Sequence, residues 1–203
     1  MDERIKLFGF RESGHAYKVR LMLNLAQLPH EFEEVDLAVP REQRAEPFRS
    51  FAKYGEVPLL LHDGRPYVQS NAILLHLAAH SGALEGEAAA CAERVREWLF
   101  WEANRIGFSL PNLRFCLRMG EGEPAVIAML RRRFEDDLAR LDCELADGRA
   151  FMLGDAPTVA DVSLCGYLFW ADQVQAVVPS YVRGWLDRIA ALPGWRHPYD
   201  FYS

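Results

Sequence analysis

The chain has 203 residues, half of them hydrophobic and 26% charged, the balance of a globular protein with a full core rather than a disordered segment. A net charge of −6 argues against nucleic acid as the main partner, because phosphate binding needs clustered Lys and Arg. No run approaches the roughly 20 apolar residues needed to cross a bilayer, so no membrane partner is expected.

Read in chain order, the opening "MDERIKLF" lacks the basic and apolar regions of a signal peptide. "IKLFGF" (Ile5 to Phe10) alternates like a strand. Ala16, Val19, Met22, Leu23 and Ala26 then recur at helical spacing, and the run stops before Pro29. "HEFEEVDL" (His30 to Leu37) is a second expected strand. Pro40 to Tyr54 reads as irregular with a short helix. Val57 to His62 and Tyr67 to Gln69 form a predicted hairpin around the turn "DGR", and Ser70 to His80 a helix with Ser70 as its N-cap. A helix between the first two strands requires a parallel, right-handed crossover; the hairpin adds antiparallel strands.

From about Gly82 strand signals fade. Residues 82–90 read as a linker, and the rest as helices: "CAERVREWLFWEANRIGF" as one long helix, then "PAVIAMLRRRFEDDLARLDCELAD", "TVADVSLCGYLFWADQV" and "SYVRGWLDRIAAL". The expected class is α/β plus all-α, with a mixed α/β domain at 1–81 and an all-helical bundle at 91–203. "RRR" at Arg131 to Arg133 is expected to be a solvated helix face. Cys91, Cys116, Cys143 and Cys165 are far apart, with no C-x-x-C pair and no metal spacing; they read as free thiols in a reducing cytoplasm, and no metal is expected.

Three stretches carry chemistry. In "GEVPLLL", the residues alone leave Pro58 open between a trans proline at a strand start and a cis one that turns the Val57 main chain outward to pair with an extended ligand. In "VQSNAI", Gln69 and Ser70 end a strand and open a helix, a place that favours a carboxylate but equally a simple cap. In "ESGHAYKVRLML", Ser13 sits at a strand-to-helix turn, where its hydroxyl can cap the helix or donate to an anion such as a thiolate. Lowering a thiol pKa from about 8.5 to about 6.5 takes roughly 2.7 kcal/mol. A charge-assisted hydrogen bond (~1.5–3 kcal/mol) plus a helix terminus (about 0.3–1 kcal/mol) is large enough. His15 reads as a packing or surface histidine before a base, and Tyr17 as structural.

With these motifs in order, the sequence resembles the cytosolic glutathione transferases of the serine type, theta- and zeta-like, over nearly its whole length. "GEVPLLL" resembles their cis-proline motif, "QSNAILLHL" their γ-glutamyl segment, "ESGHAYKVRLML" their serine-bearing entrance, and "PTVADVSLCGYL" their buried capping box, with Thr158 and Asp161 at S/T-x-x-D spacing; "LPGWRHPY" is also typical of them. The resemblance implies a thioredoxin-like first domain. It implies that Ser13 stabilises the glutathione thiolate, that Val57 pairs with the cysteinyl unit beside a cis Pro58, and that Gln69 and Ser70 hold the γ-glutamyl group, with His15 also in the glutathione site. Glu56 stands where relatives carry Lys or Gln and would repel the glycine carboxylate, which leaves Lys53 or Arg41 to receive it. Phe8 and Phe10 occupy the place of the phenol in tyrosine-type enzymes. Phe10, Trp101, Arg105, Phe108 and Phe115 are expected to line a pocket for a small hydrophobic electrophile. The implied function is glutathione S-transferase, acting as a cytoplasmic homodimer with glutathione as co-substrate. The alternatives are another glutathione-dependent enzyme (isomerase, peroxidase or disulfide reductase) or a non-catalytic module on the same fold.

Overall fold

The structure, a computed structural model, describes residues 4–84 and 88–202. It divides into two compact units, one of residues up to Ala83 together with Pro193 onward, the other Leu84–Leu192. The expected linker at 82–90 runs through residues 85–87, outside the described ones; a helix has already begun at Ala88.

The first unit is built on a four-stranded sheet, β1 (Ile5–Gly9), β2 (Glu31–Glu34), β3 (Leu59–His62) and β4 (Arg65–Val68), in the order β2-β1-β3-β4. β1 and β2 pair in parallel through the helix α1 (Gly14–Leu25), and β3 pairs antiparallel with both β1 and β4. The mixed topology follows from the alternation and turn chemistry of the sequence: Asp63 and Gly64 both take positive φ in the tight β3–β4 turn. β1, β2 and β3 are shorter than the alternation predicts, whereas β4 starts two residues earlier than expected, at Arg65, and ends at Val68. β2 ends at Glu34, and the Val35 N–H closes the parallel ladder by donating to the Gly9 carbonyl (2.7 Å). α1 and α3 (Ser70–Ser81) pack against each other on the sheet. Phe8, Val35, Phe48, Ala52 and Leu59 form a core cluster, and Val57 packs against it. The short helix α2 (Phe48–Phe51) delivers Phe48 to that cluster.

Residues 193–202, expected in the helical part, join the first unit instead. Tyr17 donates its hydroxyl to the Arg196 carbonyl (3.0 Å) and Asn24 its amide to the Gly194 carbonyl (3.4 Å).

The second unit is helical: α4 (Ala88–Asn104), α5 (Ile106–Met119), α6 (Pro124–Leu145), α7 (Val159–Cys165), a 3-10 segment (Leu168–Val174) and α8 (Ser180–Ala190). The single long helix expected across Trp101 to Phe108 is broken at Arg105, whose ψ of −97° leaves the helical region. The Cβ of an alanine at Gly107 would meet the Glu102 carboxyl at 2.5 Å, so the two segments close on each other there. Asp161 organises the start of α7. It accepts from the main chain of Met152 and Thr158 (both 2.8 Å), the Thr158 hydroxyl (3.0 Å) and the Trp185 indole (2.8 Å), while Thr158 caps Ala160. This is the capping box that the spacing predicts.

The arginine run on α6 is more than a solvated face. Arg131 donates to the carbonyl of Val174 (2.8 Å) and Arg133 to that of Asn104 (2.7 Å), the last residues of two other helical segments. Both guanidinium groups therefore answer the carbonyls that a helix leaves unpaired at its C-terminus. Only Arg132 of the three is exposed.

Candidate active site

The sheet register gathers the three motifs at one end of the first unit. Phe8 of β1 lies opposite Leu59 of β3, and Leu59 opposite Val68 of β4. Directly beyond this row the chain carries Phe10 to Ser13 after β1, Val57 and Pro58 before β3, and Gln69 and Ser70 after β4. α1 and α3 start here side by side, so two helix N-termini face the same end.

Ser13 is the N-cap of α1. Its main chain is extended and donates to the Phe10 carbonyl (2.9 Å), and its Oγ accepts from the Ala16 amide (3.2 Å). The hydroxyl uses a lone pair for the cap, so its proton stays available to an anion. Ser13 is 9% exposed, a setting in which a donated hydrogen bond to a charge is strengthened by the low dielectric. Gly9 lets this turn close, since a Cβ there would meet the Phe32 ring at 2.8 Å. The turn is clamped from β2: Arg11 grips Glu34 through two bonds, Nε to Oε1 (2.8 Å) and Nη2 to Oε2 (3.0 Å). This grip holds the Glu34 carboxyl below its ordinary pKa.

The Val57–Pro58 bond is cis, which resolves the choice that the residues alone left open. Val57 turns its side chain to the core cluster and precedes the first ladder residue, Leu59, so its main chain lies outside the sheet's own pairing.

Gln69, not Ser70, is the residue before α3, and it takes φ 70° and ψ 110°. Positive φ is strained for a residue with a side chain, and such strain concentrates at ligand clamps. The strained backbone leaves Ser70 as the first helical residue, buried at 9% exposure. Glu56 accepts from the Gln69 amide nitrogen at 3.4 Å, which ties the two segments together.

Of the cations near Glu56, Arg41 donates to the carbonyls of Ala52 (3.4 Å) and Lys53 (2.9 Å). Its stem lies against Gly55, where a Cβ would meet Arg41 Cδ at 2.8 Å and φ is +70°. Lys53 is exposed, with its ammonium 4.8 Å from the Tyr54 ring. His15 is half-buried in the first turn of α1, and Phe10 half-buried at the end of β1.

The remaining expected pocket residues belong to the second unit. Trp101 sits edge-on to Trp98, with ring centroids 5.3 Å apart. Arg105 donates to Asp137 (2.6 Å), whose side chain is fully buried. Burial pushes the Asp137 pKa up, and the Arg105 guanidinium opposes that shift. Phe108 lies 5.5 Å from the Arg133 guanidinium, and Phe108 and Phe115 are exposed. Asp137 is the partner that sequence reading missed. Its signal was present: it stands beside Phe134, Leu138 and Leu141, as a lone acid on the apolar face of α6.

The chain matches two family models, the glutathione S-transferase N-terminal domain over residues 12–80 and the C-terminal domain over 124–200. It is 28% identical over 200 residues to the probable glutathione S-transferase GSTU6 of Oryza sativa subsp. japonica, covering 94% of this chain and 82% of that one. It is 24% identical to the disulfide-bond oxidoreductase YfcG of Escherichia coli, covering 91% and 89%. A solved glutathione S-transferase from Pseudomonas fluorescens superposes with a TM-score of 0.86 at 28% identity, covering 96% and 98%. A mixed sheet with the serine turn, the cis proline and the strained Gln69 at one end, followed by a helical unit, agrees with these matches: the chain belongs to the glutathione S-transferase superfamily.

Proposed function

We propose that the protein is a glutathione S-transferase of the serine type, with the first unit holding glutathione. The observation that carries this reading is Ser13, a nearly buried N-cap hydroxyl whose proton is still available at the positive end of α1. Glutathione loses its thiol proton to solvent, and Ser13 donates to the resulting thiolate. The sulfur then attacks the electrophilic carbon, forming a carbon–sulfur bond as the leaving group departs with its electron pair. The protein supplies thiolate stabilisation and proximity.

Val57 offers main-chain groups to the cysteinyl unit, and Gln69 and Ser70 take the γ-glutamyl end. Lys53 is the better candidate for the glycine carboxylate, because Arg41 is already bound to loop carbonyls. Trp101, Arg105, Phe108, Phe115 and Phe10 line the electrophile pocket in this reading. Support for glutathione itself comes from relatives of this fold solved with glutathione bound. The working state is a homodimer in the cytoplasm, as the family resemblance implies.

The test is binding to immobilised glutathione, followed by turnover with a general aryl halide, for wild type and Ser13→Ala. Binding is expected to survive in the variant while kcat/KM falls roughly 10- to 100-fold, the loss of one charge-assisted hydrogen bond. Turnover indifferent to the substitution would remove Ser13 from the mechanism. Because one relative is named a disulfide-bond oxidoreductase, a disulfide substrate belongs in the same assay. Turnover of that substrate with none of the halide would replace the transferase reading by a reductase.

A further inference from the structure

The chain returns to the first unit after the helical part and lies along α1. Gly194 meets Asn24: the asparagine amide donates to the Gly194 carbonyl (3.4 Å), and a Cβ at Gly194 would stand 2.9 Å from the Asn24 carbonyl oxygen. Tyr17 donates to the Arg196 carbonyl (3.0 Å). Tyr199 donates its hydroxyl to Glu12 Oε2 (3.1 Å). The pairs 194–24, 196–17 and 199–12 run in opposite directions, so this segment is an antiparallel strap over the whole helix, from its C-terminal end to the turn before it. Tyr199 lies in a 3-10 turn (Pro198–Tyr202) that folds Phe201 back, with its ring 6.0 Å from Tyr17 and 4.5 Å from the Arg20 guanidinium carbon.

The strap ends on the residue that precedes Ser13. That turn is then held on two sides: Arg11 by Glu34 of β2, and Glu12 by Tyr199. A hydroxyl that stabilises a charge works only if its direction is fixed before the charge arrives. We propose that Tyr199 is a positioning residue, through which the C-terminal strap fixes the Glu12–Ser13 turn and so the aim of the Ser13 hydroxyl. This rests on the reading of Ser13 as the thiolate donor. Tyr199 acts through Glu12 and touches no reacting atom.

The experiment is an ultraviolet titration of bound glutathione thiolate, with steady-state kinetics and melting, for wild type, Tyr199→Phe and Tyr17→Phe. Both variants lose one hydroxyl bond of the same strap, the Tyr199 bond to Glu12 beside Ser13 and the Tyr17 bond to the Arg196 carbonyl. Tyr199→Phe is expected to raise the apparent pKa of bound glutathione by about 0.5 to 1 and to lower kcat roughly three- to tenfold, with KM for glutathione little changed. Tyr17→Phe is expected to lower the melting temperature without moving the thiolate titration. Glu12→Gln keeps an acceptor for Tyr199 and should keep the wild-type titration. Glu12→Ala breaks the same bond from the other side and serves if Tyr199→Phe does not fold. A titration unchanged in Tyr199→Phe, or moved equally by Tyr17→Phe, overturns the positioning role alone. Wild type that neither binds nor activates glutathione overturns the functional reading, and the strap's role with it.

Discussion

Ser13 and Asp161 both answer main-chain N–H groups at a helix start, yet they serve different ends. Ser13 accepts one bond and keeps a proton to donate. Asp161 has nothing to spare, since four donors converge on its carboxylate. Burial pushes the Asp161 pKa up, while the bonds from Met152, Trp185 and Thr158 pull it back. Replacing Asp161 with Ala strands several buried donors at once, each costing about 1–3 kcal/mol. A loss of roughly 3–5 kcal/mol is therefore expected in urea unfolding, and a loss below about 1 kcal/mol would show that the box is not a keystone of the helical unit. The S/T-x-x-D spacing announced Asp161, because a capping box is a local pattern. The backbone strain at Gln69 was not legible, because nothing in "VQSNAI" forces positive φ on a glutamine; the strand before it and the helix after it impose that angle.

Between elements, charged side chains do the fastening. Arg11 joins the turn after β1 to β2, and Arg131 and Arg133 each close the end of a helical segment from α6. The Arg11–Glu34 clamp makes a pH prediction. Because the folded pKa of Glu34 lies below its unfolded value, the clamp contributes stability above the ordinary carboxylate range and loses it as pH falls through the lowered value. Unfolding free energies of wild type and Glu34→Gln should therefore differ at neutral pH and converge in acid. A gap that stays constant with pH would sink this account. Sequence periodicity found these elements because burial of an apolar face is local. It overran their ends, as at β2 and at Arg105, where in the second case a close contact between Gly107 and Glu102 accompanies the break. A contact that no pattern announced lies at the far end of β3. There His62 Nδ1 and His76 Nε2 are 2.8 Å apart, and Tyr67 stacks on His76 at 3.8 Å.

For the molecule as a whole, the chain crosses twice between its units: residues up to Ala83 and from Pro193 form one, Leu84–Leu192 the other. No helix among the described residues is long and apolar enough to cross a membrane. The proposed dimer is tested by sedimentation, where a mass of twice the 23.2 kDa chain is expected. A monomer at micromolar concentration would overturn the assembly. By itself the sequence determined the two-part character of the chain, the mixed sheet, the capping box and the three motifs of the candidate site, because alternation, helical spacing and capping are properties of neighbouring residues. Only the tertiary structure decided the cis Pro58, the strained Gln69, the bonds that hold Arg41 to its loop, the Asp137 partner of Arg105 and the strap over α1. Each of these joins residues far apart in the chain or fixes a backbone state that local preference leaves open, because the packing that selects it lies outside any short stretch of sequence.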